Sequence, residues 1–206
     1  METSVDEIRG QARAASNVYA MLARAFTLEW VADSVFGIAE VAQTLGVPWP
    51  KESNSELIRA QYVDRFIVPS AAAYVPLSEN CIRTAAEQNG NLVFGQVDGP
   101  HREHVSRCYA AAGFVRPACL THDDSFAAEL YFMSYLAAVQ ADAQDEGVAE
   151  NALLWQRRFL SDHLGIWAKK GAIALARTGD DFYTRTANLA AAWCEIDAER
   201  VGLGAA

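Results

Sequence analysis

Three observations predict an all-α fold. Apolar residues recur at three- and four-residue spacing along most of the chain, prolines are confined to one stretch, and no strand-like alternation of useful length occurs. All six prolines (Pro48, Pro50, Pro69, Pro76, Pro100, Pro117) lie between positions 48 and 117, and none lies between 118 and 206. Proline breaks helices and punctuates loops, so the expectation is a helical C-terminal half behind a loop-rich middle. At 206 residues, 51% hydrophobic and 21% charged, the chain has the composition of a folded domain and not of a disordered one. A single helical-bundle domain over 1–206 is expected.

The elements follow in order. Val5, Ile8, Ala12, Ala15, Tyr19, Leu22 and Phe26 form the apolar stripe of a first helix. A second is expected from about Trp30 to Leu45, stopped by Gly46 just before Pro48. A third, from about Ser55 to Ile67, carries Leu57, Ile58, Tyr62 and Phe66 on one side. The stretch from Pro69 to about Pro100 reads as irregular, with Asn89-Gly90-Asn91 as a turn signal. Helical spacing resumes from His101 to Ala112 and ends at Gly113. The next helix, about Ser125 to Gln144, turns Phe126, Leu130, Met133 and Ala137 inward, with Asp123 or Asp124 as its N-cap. A long helix from about Glu150 to Arg177 buries Phe159, Leu160, Leu164 and Trp167. Asp180-Asp181 offers the cap of a last helix that buries Leu189, Trp193 and Ile196.

Charge and motifs exclude several functions. A net charge of -9 argues against nucleic acid, whose phosphates demand a basic face, and is compatible with a cationic peptide ligand. No apolar run reaches the roughly 18 residues of a membrane span, and the acidic start Met1-Glu2-Thr3-Ser4-Val5-Asp6-Glu7 lacks a secretory signal's features, so a cytoplasmic protein is expected. Cys81, Cys108, Cys119 and Cys194 contain no C-x-x-C pair and read as free thiols. No nucleophile elbow, P-loop or dinucleotide fingerprint occurs. His101-x-x-His104-x-x-x-Cys108 has helical spacing that could place three metal ligands on one face. A fourth ligand is not evident and no E-x-x-H pair occurs, so no metal is assigned. His122-Asp123 likewise lacks the companion ligands of a phosphohydrolase site, and Trp155, Trp167 and Trp193 read as core.

The segment from Asp124 to Met133 is the most informative. It sets Asp123 and Asp124 at a helix entrance and carries Glu129 into an apolar helix. These three carboxylates have two readings. They form a negative rim for guanidinium groups, or the aspartates cap the helix and Glu129 pairs with a nearby base. In wording and position the segment resembles the central motif of the TorD/DmsD/NarJ family of chaperones for molybdenum-containing oxidoreductases. The resemblance extends from about Tyr62 to Arg200. It includes the run Gln61 to Pro69, the loop Pro76-Leu77-Ser78-Glu79, Leu92-Val93-Phe94-Gly95, Tyr109 and Gly113, an F-L-x-x-H-L-x-x-W pattern from Phe159 to Trp167, and Asp181-Phe182-Tyr183. The chain departs from the family pattern at Leu77, His122 and Ser125, positions that bear on partner choice more than on fold.

The resemblance implies a TorD-like bundle and a non-enzymatic role, with no cofactor of its own. Such a chaperone binds the N-terminal segment of an apo-molybdoenzyme catalytic subunit, with a twin-arginine signal as the expected target. It assists cofactor insertion and prevents premature export. The residues that the resemblance places at or behind the peptide groove are Tyr62, Phe66, Pro69, Pro76, Leu77, Asp124, Ser125 and Glu129, with Asp124 the foremost for charge contact. Two other classes stand beside it. One is an all-α metal-dependent or small-molecule-binding enzyme domain, and the other an assembly factor that binds a folded subunit and no signal peptide. Monomer and domain-swapped dimer are both compatible with long helices on short hinges.

Overall fold

The computed structural model describes residues 4–28, 31–50 and 54–204, with the backbone alone for 31–36. Met1 to Thr3 and the Trp30 start expected for the second helix lie outside these residues. The order is α1 (Val5–Ala25), α2 (Val31–Thr44), α3 (Ser55–Tyr62), a π turn (Val63–Ile67), α4 (Glu79–Arg83), β1 (Ala86–Gln88), β2 (Asn91–Val93), α5 (Pro100–Ala112), α6 (Phe126–Asp142), α7 (Glu146–Phe159), a second π turn (Leu160–Leu164), α8 (Gly165–Ala176) and α9 (Phe182–Arg200). The fold is all-α, and the sole sheet among the described residues is a three-residue hairpin. That hairpin forms at the Asn89-Gly90 turn, where both residues take positive φ (53° and 78°), as a two-residue type I′ connection requires.

Local chemistry explains the helix ends. Ser4 Oγ accepts from the Glu7 amide, with Asp6 and Glu7 in the positive first turn of α1. Gly46 and Gly113 stop α2 and α5 in the left-handed region, at φ 67° and 70°. Asp181 caps α9 by accepting from the Tyr183 and Thr184 amides. The cap of α6 differs from expectation. It is Ser125, whose Oγ accepts from Ala128, and neither Asp123 nor Asp124. The reason is long-range. Glu79 N donates to Asp124 O (2.8 Å) and Phe126 N to Leu77 O (3.2 Å), so the chain runs extended past Asp124 and the helix starts one residue later.

α6 is apolar all round and is buried on more than one side. Phe126, Leu130, Met133 and Ala137 are core as expected, and so are Ala128 and Phe132. It lies against α1, where small residues let the backbones approach. Ser16 Oγ donates to Ser134 O and Ser134 Oγ returns a bond to Ser16 O, each 2.9 Å. Tyr19 on α1 reaches α9, its hydroxyl donating to the buried Asp197 carboxylate at 2.9 Å. Four residues expected in the core are exposed instead: Val5 and Ile8 at the start of α1, Leu57 on α3 and Ile196 on α9. Each has helical spacing, but no packed element covers it among the described residues. Trp167 and Trp193 are core, and Trp155 is half-buried.

The long helix expected from Glu150 to Arg177 is α7 and α8 joined through the π turn at 160–164. Its extra residue rotates the following face, and His163 is buried as a result. The turn depends on Gly165, because a Cβ there would collide with the Leu160 carbonyl oxygen. In an ordinary helix, Gly→Ala stabilises by roughly 0.5–1 kcal/mol. Here Gly165→Ala is expected to destabilise by about 1–3 kcal/mol, as overpacking does. Urea denaturation checks the sign, and a gain in stability would show that the π turn is not held as described.

Candidate functional site

An apolar cleft opens between the first π turn, the loop at 74–78 and the segment 119–127. Tyr62, Phe66, Ile67, Tyr74, Pro76, Leu77, Val97, Leu120, His122, Ser125 and Phe126 are among the residues that line it. Its volume of about 210 Å³ accepts a few apolar side chains and no folded partner. Behind it stands an aromatic wall. Tyr62 and Phe66 pack edge-to-face at 5.1 Å, Phe66 and Tyr183 at 5.1 Å, and Phe26 and Phe126 at 5.0 Å.

One buried arginine holds this wall. Arg65 Nε donates to Asp181 Oδ2 at 2.7 Å, Nη1 to Leu175 O and Thr178 Oγ1, and Nη2 to Gly179 O. It thereby ties the π turn to the start of α9. Its own carbonyl accepts from the Val75 amide, which carries the cleft loop.

Beneath the cleft, three carboxylates are fully buried: Glu79, Asp124 and Glu129. Burial would raise the Glu79 carboxyl, but bonds from His163 Nδ1 (2.7 Å) and Arg83 Nη1 (2.6 Å) hold it below its usual value. Burial pushes Asp124 up to about 6, even though its Oδ2 accepts from the Asn80 amide at 2.9 Å. Glu129 is driven well above the usual carboxylate range by burial and by the negative charge of Glu79. Its Oε2 accepts from Trp167 Nε1 at 2.8 Å. Asp123 behaves differently. It is partly exposed, and against the effect of burial, bonds from Ser106 and Arg116 hold its carboxyl low.

The structure therefore separates the residues singled out from sequence. Tyr62, Phe66, Pro76, Leu77 and Ser125 share one cleft, whereas Pro69, Asp124 and Glu129 are not among its lining residues. The negative rim expected from Asp123, Asp124 and Glu129 is not present as such. Asp124 and Glu129 are 0% exposed, and Asp123 already holds Arg116. The alternative reading holds in part: Asp124 caps no turn of α6, but its Oδ2 accepts from the Asn80 amide in the first turn of α4, and Glu129 bonds an indole and not a base. Ile67, Val97 and Leu120 also line the cleft and were not named for it from sequence, whereas His122, noted there as a departure from the family pattern, lines it too. They lie in separate segments whose convergence no local pattern marks. Among the described residues the buried His122 Nδ1 has no hydrogen-bond partner, and with Ser78, Thr121 and Ser125 it makes part of the lining polar.

Among the described residues no helix is long and apolar enough to cross a membrane. The model of the nitrate reductase delta subunit family matches residues 31–171, from the start of α2 into α8. No curated protein and no solved structure matches the chain. The match covers more than half of the sequence, and the chain belongs to this family, which comprises maturation chaperones for molybdoenzymes. The Asp181-Phe182-Tyr183 resemblance lies beyond the matched span.

The buried carboxylates generate a pH prediction. Asp124 binds its proton more tightly folded than unfolded, so between about pH 4 and 6 the folded state carries the extra proton. Its contribution to stability is present below about pH 4 and is lost as pH rises through 6. Asp124→Asn should remove this slope and raise stability at pH 7 by no more than about 3 kcal/mol. Denaturation curves of both proteins from pH 4 to 7 test it, and parallel curves would contradict it. Glu129→Gln keeps an acceptor for Trp167 and removes a carboxyl whose charged form burial disfavours, so stability at pH 7 should not fall by more than about 1 kcal/mol.

Proposed function

We propose that this family member binds the N-terminal segment of an apo-molybdoenzyme catalytic subunit in the cytoplasm, as a non-enzymatic chaperone. Holding that segment assists cofactor insertion and delays export until the subunit has folded. The observation that carries the reading is the apolar cleft lined by Tyr62, Phe66, Pro76 and Leu77 on a rigid aromatic wall. It suits a groove-binding mode, in which the apolar side chains of an extended or helical segment are buried and polar wall groups meet its backbone. Ser125 and His122 supply those groups. Pro69, Asp124 and Glu129 act from outside the lining. Pro69 shapes the loop after the π turn, and the two acids hold the cleft floor. One domain over 1–206 performs the whole task in this reading.

A twin-arginine signal is the expected form of the target. Its arginines would have to be met at the cleft edge, where Asp98 is exposed beside Val97 and pairs with Arg102 four residues on. A second reading is favoured by two observations: among the described residues the cleft lining contains no carboxylate, and the matching family is that of nitrate reductase delta subunits. In that reading the client is a nitrate-reductase-type subunit whose bound segment lacks the arginine pair, and apolar contacts dominate.

Affinity purification of the full chain from its native host, with mass spectrometry of retained chains, tests the proposal. An apo-molybdoenzyme subunit is expected, and its N-terminal sequence decides between the two readings. Ile67→Asp and Val97→Asp place a charge in the cleft at residues 54% and 39% exposed, so the fold is kept. Each should reduce recovery at least about tenfold, the equivalent of ~1.4 kcal/mol. Equal recovery with both variants would remove the cleft from the function, and absence of any molybdoenzyme subunit after crosslinking would overturn the chaperone reading.

A further inference from the structure

His104 and Cys108 lie four residues apart on one face of α5, the spacing at which helical side chains are neighbours. The second π turn brings His163 onto that face, and the ligand atoms of the three side chains all lie within 4.8 Å of one another. His104 Nδ1 is 2.6 Å from His163 Nε2, and Cys108 Sγ is 4.0 Å from the same nitrogen. The sequence pattern had pointed to His101 as the third member. The structure supplies His163 in its place, from 59 residues further along the chain than His104.

The surroundings of His163 are those of a metal ligand. Its Nδ1 is engaged by the buried Glu79 carboxylate at 2.7 Å, which orients the ring and leaves Nε2 facing His104 and Cys108. A carboxylate behind a ligating imidazole fixes its tautomer and raises its basicity, and this is the recurrent support of histidine ligands. Glu79 is in turn held by Arg83. Phe159 stacks on the other side of the His163 ring at 4.8 Å and limits its motion.

We infer that His104, Cys108 and His163 form a binding site for a thiophilic divalent cation, zinc in the first instance, with its fourth position open to solvent. Two nitrogens and one sulfur are a donor set suited to Zn²⁺. With Zn–N near 2.0–2.1 Å and a tetrahedral angle, two imidazole nitrogens stand about 3.3 Å apart. The pair must therefore open by less than about 1 Å from its present 2.6 Å. His104 reaches solvent and can turn out of its stacking on the His163 ring, and the buried Cys108 and His163 must close from their 4.0 Å separation by about 0.5 Å. The ion would staple α5 to the hinge between α7 and α8. Loading displaces protons from the thiol and from Nε2, as metal binding to such ligands does. The site lies apart from the apolar cleft, whose lining shares no residue with it.

The test uses the reduced, chelator-stripped full chain titrated with Co²⁺ and then Zn²⁺, with metal content measured after desalting. One equivalent is expected, with thiolate-to-cobalt charge-transfer absorption that Zn²⁺ displaces. Cys108→Ser should abolish that absorption with the helical circular dichroism unchanged. His104→Ala, at a partly exposed position, should weaken binding at least about tenfold. Cys119→Ser removes the exposed thiol and should leave the absorption intact. Substoichiometric metal, absorption that survives Cys108→Ser, unchanged binding by His104→Ala, or absorption lost with Cys119→Ser would each overturn the assignment.

Discussion

The burial of three carboxylates side by side is the constraint around which this molecule is arranged. Ionised groups in a dry interior are costly unless paired, so Glu79, Asp124 and Glu129 cannot all remain charged there. Each has a different solution. Arg83 and His163 hold the Glu79 carboxyl low, burial pushes Glu129 well up while it accepts from Trp167, and Asp124 sits between these extremes on the Asn80 amide. These partners come from α4, α8 and the second π turn, so satisfying the acids draws those elements together. The backbone exchange between Leu77–Glu79 and Asp124–Phe126 completes the crossing. The cleft wall hangs from this crossing, because Leu77, Ser78, Ser125 and Phe126 both make it and line the cleft.

The two π turns are the mechanical counterpart of that chemistry. The first sets Arg65 inward against Asp181 and presents Phe66 and Ile67 to the cleft. The second turns His163 toward Glu79, which a regular helix through 160–164 would not do. An inserted residue in a helix carries some cost, and such insertions concentrate where a side chain must be aimed. Here one serves the apolar cleft and the other serves the His104–Cys108–His163 cluster. A client segment and a metal ion would thus meet the same rigid body at separate places, joined through Glu79 and the strand-like pairing at Ser78 and Ser125.

Much of this was open to inspection in the amino-acid order. The Asp181 cap, the Gly46 and Gly113 stops and the apolar faces of α1 and α6 follow from chemistry acting within four residues, which periodicity and cap rules capture. Family membership was legible through ordered short motifs. The cleft was half legible, since Tyr62, Phe66, Ile67, Pro76, Leu77 and Ser125 stand in those motifs, whereas Val97 and Leu120 stand outside them and are brought in by folding.

What the sequence by itself determined is the helical class, the main helices apart from α4 and the π turns, and the kind of protein this is, because those depend on local spacing and motif order. Tertiary structure alone decided that Asp124 and Glu129 lie under the cleft and not on its rim, that Ser125 and not an aspartate caps α6, and that His163 replaces His101 beside His104 and Cys108. The physical reason is common to all three. Burial, ionisation and ligand convergence depend on which distant segments meet, as Glu79 meets His163 across 84 residues, and a helical period carries no information about that distance.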